Sequence, residues 1–412
     1  MQLPRMRKVR QHFPSAALPD PLATLQAQLQ QAQLRLAPGA RIGVAGGSRG
    51  IANIAAFTRA VVDHLKEAGA RPFVLPAMGS HGGATAEGQI GVLASYGITP
   101  ESMGCPVEST MEVVQVGQLA DGTPVMINRL ALEAEGIVLI NRVKPHTSFR
   151  GPFESGLMKM LTIGLGSHKG ATLAHSQGAQ GLARLIPAWG EVILKKAQVL
   201  LGVALVEDAY EHTAAVEALR PEQFASREPH LLALARENMP RLLVRNIDVL
   251  VVEEMGKDIS GTGMDTNVLG RMMLPGIKEP DEPGVARIVT LSLSERTHGN
   301  ANGMGLADIV TRRLFDAVDF QATYANAFTS TFLNRAYVPV VMEDDRRAIE
   351  AALEVQRVAD GSRARIVRIR NTLDLAQIQL SESLYEEFRT HPQLEQVGGL
   401  DPMAFDEGGR LI

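Results

Sequence analysis

A chain of 412 residues that is 45% hydrophobic and 21% charged can bury a large core, and its length suggests two or three domains. A net charge of −4 with scattered Lys and Arg gives no long basic face, which argues against nucleic acid or an anionic membrane as partner and leaves small molecules. The single cysteine, Cys105, excludes an internal disulfide framework and any multi-cysteine zinc site, and favours a cytoplasmic location.

The opening "MQLPRMRKVRQHFPSAALPDP" is basic, but no apolar run of signal-peptide length follows it, and no later stretch reads as a membrane span. Leucine spacing in "LQAQLQQAQLRL" (25–36) predicts an amphipathic helix. "RIGVAGG" (41–47), "PFVLPAMGSHGG" (72–83) and "GIVLINRVKPHT" (136–147) each read as a buried strand ending in a loop. Between the first two, Ile51, Ile54, Ala55, Thr58, Val61, Val62 and Leu65 fall at helical spacing. Strand, helix and strand in that order predict a parallel sheet and an α/β class. In such sheets ligands bind beyond the carboxyl ends of the strands, where Arg49, His81 and His146 stand.

The polar, proline-containing stretch 217–241 marks a domain boundary. Residues 1–240 are expected to form an N-terminal α/β domain and 241–412 a C-terminal one, with the site in the cleft between them. "NIDVLVVEEMG", "GVARIVTLSLSE" and "RARIVRIRN" supply the strands of the second domain.

The turn in "VAGGSRGIANIAAF" (44–57) invites a dinucleotide-binding reading. A third glycine at the helix start is missing, however, and no tyrosine has a lysine four residues on, so a dehydrogenase is set aside. The denser chemistry lies in "KPHTSFRGPFESGLMKMLTIGLGSHKGATLAH" (144–175), with three histidines, three lysines and five glycines. An interior helical glycine costs roughly 1 kcal/mol against alanine, so something is expected to approach this backbone closely. Lys159 stands among Leu157, Met158, Met160 and Leu161, which suits either a desolvated nucleophilic amine or a lysine snorkelling to the surface.

"SGLMKMLTIGLGSHKGATLAH" resembles the lactate racemase family, in which a Ser-Gly pair leads to a lysine and a histidine follows. Ser155, Gly156, Lys159 and His175 reproduce that pattern. "AMGSHGGAT" resembles the family's glycine-turn-histidine loop, "NRVKPHTSF" its proline-histidine loop, and "GGSRG" occupies the place of its substrate arginine. The likeness is clear over 40–180 and faint beyond.

The resemblance implies a racemase or epimerase of 2-hydroxy acids using a nickel pincer nucleotide, pyridinium-3,5-bisthiocarboxylic acid mononucleotide, made by separate cofactor-building enzymes. Lys159 would carry it covalently beside Ser155 and Gly156, His175 would bind nickel, and Arg49 would hold the substrate carboxylate. One enantiomer presents its hydroxyl proton opposite to the other, so two bases are needed, and His81 and His146 are the candidates.

Gly46 stands where the family has an acid, and the His146 to Lys159 interval is longer than the family's. "GTGMDTNVLGR" resembles a family loop through Asp265 and Asn267, with Lys257 or Arg271 as candidate cations. The Gly/Asn-rich 295–308 stretch reads as either a closing loop or a plain surface loop. Two other functions stay open: a Schiff-base lyase or aldolase using Lys159, and a non-catalytic protein binding nucleotides or acidic metabolites.

Overall fold

A computed structural model of the chain describes residues 2–47, 50–274 and 277–412. They form two compact units, Pro14–Met239 and the residues up to Phe13 together with Pro240–Ile412. After β1 (Arg5–Gln11) come β2 (Arg41–Gly46), β3 (Arg71–Pro76), the hairpin β4 (Val113–Gln118) and β5 (Pro124–Asn128), then β6 (Gly136–Arg142), β7 (Val199–Glu207) and β8 (Thr213–Leu219). The 14–239 unit is built on a sheet ordered β3-β2-β6-β7-β8, parallel except for the antiparallel last pair.

The apolar runs of β2, β3 and β6 are explained by a sheet covered on both faces. Ile42, Val44, Val74, Val138 and Ile140 join one core with Leu25, Leu29, Phe57, Val61 and Leu65, from the helices Pro21–Ala32 and Ile54–Glu67. Alternate residues Ala45, Phe73, Leu75, Ile137 and Leu139 join a second core with Leu157, Met158, Leu161, Trp189 and Leu231. Burying a side chain of this size contributes about 1.5–3 kcal/mol, so both faces are needed to hold the sheet. The 217–241 stretch lies in this unit as far as Met239: it finishes β8 and forms the Phe224–Asn238 helix, with Phe224, Glu228, Leu231, Leu232 and Ala235 buried.

The other unit adds β9 (Ile247–Met255), β10 (Val285–Leu293), β11 (Ile309–Thr311), β12 (Val340–Met342), β13 (Ile366–Ile369), β14 (Gln377–Ser381) and β15 (Leu394–Pro402). Its sheet is ordered β12-β11-β10-β9-β13-β14-β1-β15, parallel from β12 to β13 and antiparallel beyond. The residues up to Phe13 cluster with this unit. Strand β1 buries Met6 and Val9 there and pairs with β14 and β15, partners too distant in sequence to leave a local signal. Among the described residues no helix is long and apolar enough to cross a membrane.

Candidate active site

Because β3, β2 and β6 are parallel neighbours, the loops that follow them leave the sheet at one edge. After β2 comes Gly47; Arg49 lies outside the described residues. After β3 the chain turns through Met78–His81, where the His81 N–H donates to the Met78 carbonyl at 3.1 Å, and His81 is exposed. After β6 the chain reaches His146, which is half-buried.

Glycines stitch these loops to the segment that carries Lys159. The Gly79 N–H donates to the Gly164 carbonyl at 3.1 Å, and a Cβ on Gly164 would lie 2.6 Å from the Ala77 carbonyl. A Cβ on Gly47 would lie 3.5 Å from both the Met160 methyl and the Asn141 amide oxygen. The groups that approach the glycine-rich backbone are thus neighbouring segments of this chain.

Lys159 ends a short helix, Leu157–Lys159, that continues as a π-helical stretch, Met160–Gly164, before the helix Ser167–His175. Such π segments are frequent at functional sites because the extra residue re-aims the side chains on either side. Leu157, Met158, Met160 and Leu161 are buried and Lys159 is half-buried. The entry to this turn is held by a two-way backbone bridge between Lys144 and Ser155, at 3.0 and 3.1 Å, and by the Asn141 amide donating to the Gly156 carbonyl at 2.8 Å. His168 and Lys169 are exposed on the Ser167–His175 helix.

The electrostatics bring three of the candidates together. Burial pushes the His175 imidazole down to about 4, with the Lys159 ammonium adding to the effect. Burial also holds His146 well below the ordinary histidine range, helped by Lys159, His175, Lys144 and Arg150. His146, Lys159 and His175 therefore share one neighbourhood, and both imidazoles are neutral at neutral pH.

The Ser148 N–H donates to His146 Nδ1 at 3.0 Å, so the neutral ring carries its proton on Nε2. The ring rests 4.3 Å from the buried Phe149 ring, centroid to centroid. The fully buried Glu154 carboxylate accepts the His146 backbone N–H at 2.6 Å, the Gly151 N–H at 3.2 Å and the Arg236 guanidinium at 2.6 Å. Sequence reasoning missed Glu154, Arg236 and Glu228. Only Glu154, a lone carboxylate beside the Ser155–Gly156 pair, carried a signal that could have been read.

The remaining candidates lie in the other unit. Asp265 accepts from the Asn267 backbone N–H at 2.9 Å and from its side-chain amide at 2.8 Å, capping the short helix Thr266–Leu269. Arg271 is paired with Asp308 at 2.6 Å and also donates to the Leu306 and Ala286 carbonyls, the pattern of a strut. Lys257 Nζ donates to the Gly261 carbonyl. In the 295–308 stretch, residues 301–307 are buried, so its second half is packed rather than an open surface loop.

Residues 46–182 match the family of the lactate racemase N-terminal domain. That stretch is similar to a lactate racemase N-terminal domain. Every candidate in it that the structure describes stands on the loops after β3 and β6 or on the Leu157–His175 segment. Among solved structures, the lactate racemase apoprotein from Thermoanaerobacterium thermosaccharolyticum is similar in fold, with a TM-score of 0.52 at 14% identity over 85% of this chain and 92% of that one. Among curated proteins none matches the chain significantly in sequence.

Proposed function

We propose that the chain is a racemase or epimerase of a 2-hydroxy acid, working by hydride transfer to and from a nickel pincer nucleotide tethered to Lys159. The observation that carries this reading is the gathering of Lys159, His146 and His175, with both imidazoles neutral beside a cationic rim.

The residues fit that group. Among the described residues no three His, Cys, Asp or Glu side chains converge as a metal site, so a metal here would take its other donors from a bound molecule. His175 offers the single neutral imidazole that such a centre needs, and a soft donor set with one imidazole suits nickel. Lys159, half-buried among buried apolar side chains, is an amine suited to a covalent link. When bound, the group supplies a reversible hydride acceptor.

The remaining work falls to this chain's residues. Arg49 offers a fork for the substrate carboxylate. His146 Nε2 makes no hydrogen bond among the described residues and is the atom placed to hold or exchange the hydroxyl proton. In the tautomer fixed by Ser148, Nε2 donates toward a substrate oxygen, so accepting a proton there requires the ring to release the Ser148 amide. His81, on the loop after β3, would serve the opposite enantiomer. Linking Lys159 through an amide-type bond removes its charge, and with it one cause of the depressed basicity of both imidazoles.

Lactate, named in the similar protein, is the first substrate to try, and the departures at Gly46 and in the His146 to Lys159 interval call for a panel of 2-hydroxy acids. The chain would be loaded in the cytoplasm by cofactor-building enzymes. The test is to produce it with those enzymes, measure intact mass and nickel, and follow racemisation of 2-deuterated 2-hydroxy acids. A nickel-bearing adduct on Lys159 and deuterium retained in the product are expected. Complete washout of deuterium into solvent would overturn the hydride route in favour of a carbanion.

A further inference from the structure

We propose that Glu228 is a positioning residue for Lys159: from the Phe224–Asn238 helix its carboxyl caps the turn that presents the lysine. The inference rests on reading Lys159 as the tether. The Leu157–Lys159 helix begins at Gly156, which has no side chain to satisfy the first amides of the turn. Glu228 supplies the acceptor from outside, its Oε2 receiving the Met158 N–H at 3.0 Å. It is only 1% exposed, so this contact is sealed from water. A Cβ on residue 156 would overlap Glu228 Oε1, which gives the Ser155–Gly156 pair a physical reason: the carboxyl occupies the space a side chain would need.

The platform is rigid. Phe224, Leu231, Leu232 and Ala235 of the same helix join the core that holds Leu157, Met158 and Leu161, and Arg227 forks onto Glu217 of β8 at 3.1 and 2.5 Å. Further along, Arg236 reaches Glu154, which holds the His146 backbone. One helix thus steadies both the turn that bears the lysine and the loop that bears His146, the kind of support that precise placement of reacting groups requires. Burial pushes the Glu228 carboxyl up to about 7, against the pull of the Met158 and Leu157 amides.

The experiment uses the full chain without cofactor. It is acetylated sparingly with acetic anhydride, and the occupancy of each lysine is read by peptide mass spectrometry with exposed Lys169 as internal standard. Glu228→Leu should raise the ratio of Lys159 to Lys169 labelling by about threefold or more, as the unanchored turn loosens. Glu228→Gln, which keeps an acceptor oxygen, should preserve the parental ratio. A folded Glu228→Leu protein with the parental ratio, or a Gln variant that moves as far as Leu, overturns the proposal. If Glu228→Leu does not fold, Gly156→Ala displaces the carboxyl from the other side and carries the same expectation. A parent chain that gains no adduct when made with the cofactor-building enzymes would sink the tether reading and leave the labelling result intact.

Discussion

Between Lys144 and His175 the chemistry sits in side chains of conspicuous type, histidines and lysines among glycines. Along the Phe224–Asn238 helix the contribution comes from a glutamate and an arginine in an otherwise ordinary amphipathic pattern. Both serve the same neighbourhood: the first segment offers groups that could react, and the second fixes where they stand, through Glu228 beneath Met158 and Arg236 on Glu154. The lesson is a division of labour. Substitutions in the first segment should remove chemistry and spare the fold, whereas those on the helix should spare the reacting groups and blur their placement.

The largest effect should come from Lys159→Ala. No covalent adduct should form on a folded protein, and activity should vanish, while Lys169→Ala on the exposed face of the next helix keeps both. Intact mass decides it, and an adduct surviving in Lys159→Ala would break the comparison at its stronger end. Next comes His146→Ala, expected to slow interconversion in both directions by about 100- to 10,000-fold, the usual range for a general acid or base. Substrate binding should change less. Loss of binding with an unchanged rate constant would reassign His146 to the substrate clamp.

How much of this was legible in the sequence follows the same division. The runs at β2, β3 and β6 declare themselves because a sheet covered on both faces needs unbroken apolar stretches, and the loops after them are then forced to one edge. Lys159 and His175 stood out through the resemblance of their segment to a known family, since Lys159 among its apolar neighbours alone read equally well as a snorkelling surface lysine. Glu228 did not, because a glutamate in "ASREPHLLALA" reads as solvent-facing until the helix is seen to turn it under Gly156. β1 was hidden for a different reason: its partners Gln377–Ser381 and Leu394–Pro402 are chosen by tertiary packing, and nothing local marks that choice.

A third, smaller effect tests the supporting side. Glu154→Ala leaves the His146 N–H, the Gly151 N–H and the Arg236 guanidinium without their shared acceptor. Orphaning buried donors costs about 1–3 kcal/mol, so the melting temperature should fall by several degrees and the rate should drop as His146 loosens. Arg236→Leu should cost less, because Glu154 keeps the His146 and Gly151 backbone donors. Equal losses in the two variants would show that the ion pair, rather than the backbone contact to His146, matters.

A fourth effect concerns Glu228 and pH. Its folded pKa is raised from 4.5 to about 7, chiefly by burial, so the folded state favours the protonated carboxyl. The resulting stability is fully present below pH 4.5, where both folded and unfolded chains are protonated, and is lost progressively as pH climbs toward 7. Above 7 both states are ionised and the loss levels off. Within that window each pH unit is worth at most about 1.4 kcal/mol, or roughly 3–6 °C for a unit of this size. Glu228→Gln cannot ionise and escapes the loss. Its melting temperature relative to the parent should therefore rise between pH 5 and pH 7 and stay flat from 7 to 8.5, with calorimetry in parallel buffers as the measurement. A constant offset across the range would mean that Glu228 is ionised in the folded chain as readily as in the unfolded one. Its burial beneath the Lys159 turn would then carry no electrostatic cost, and the helix would differ from the glycine-rich segment less than its packing implies.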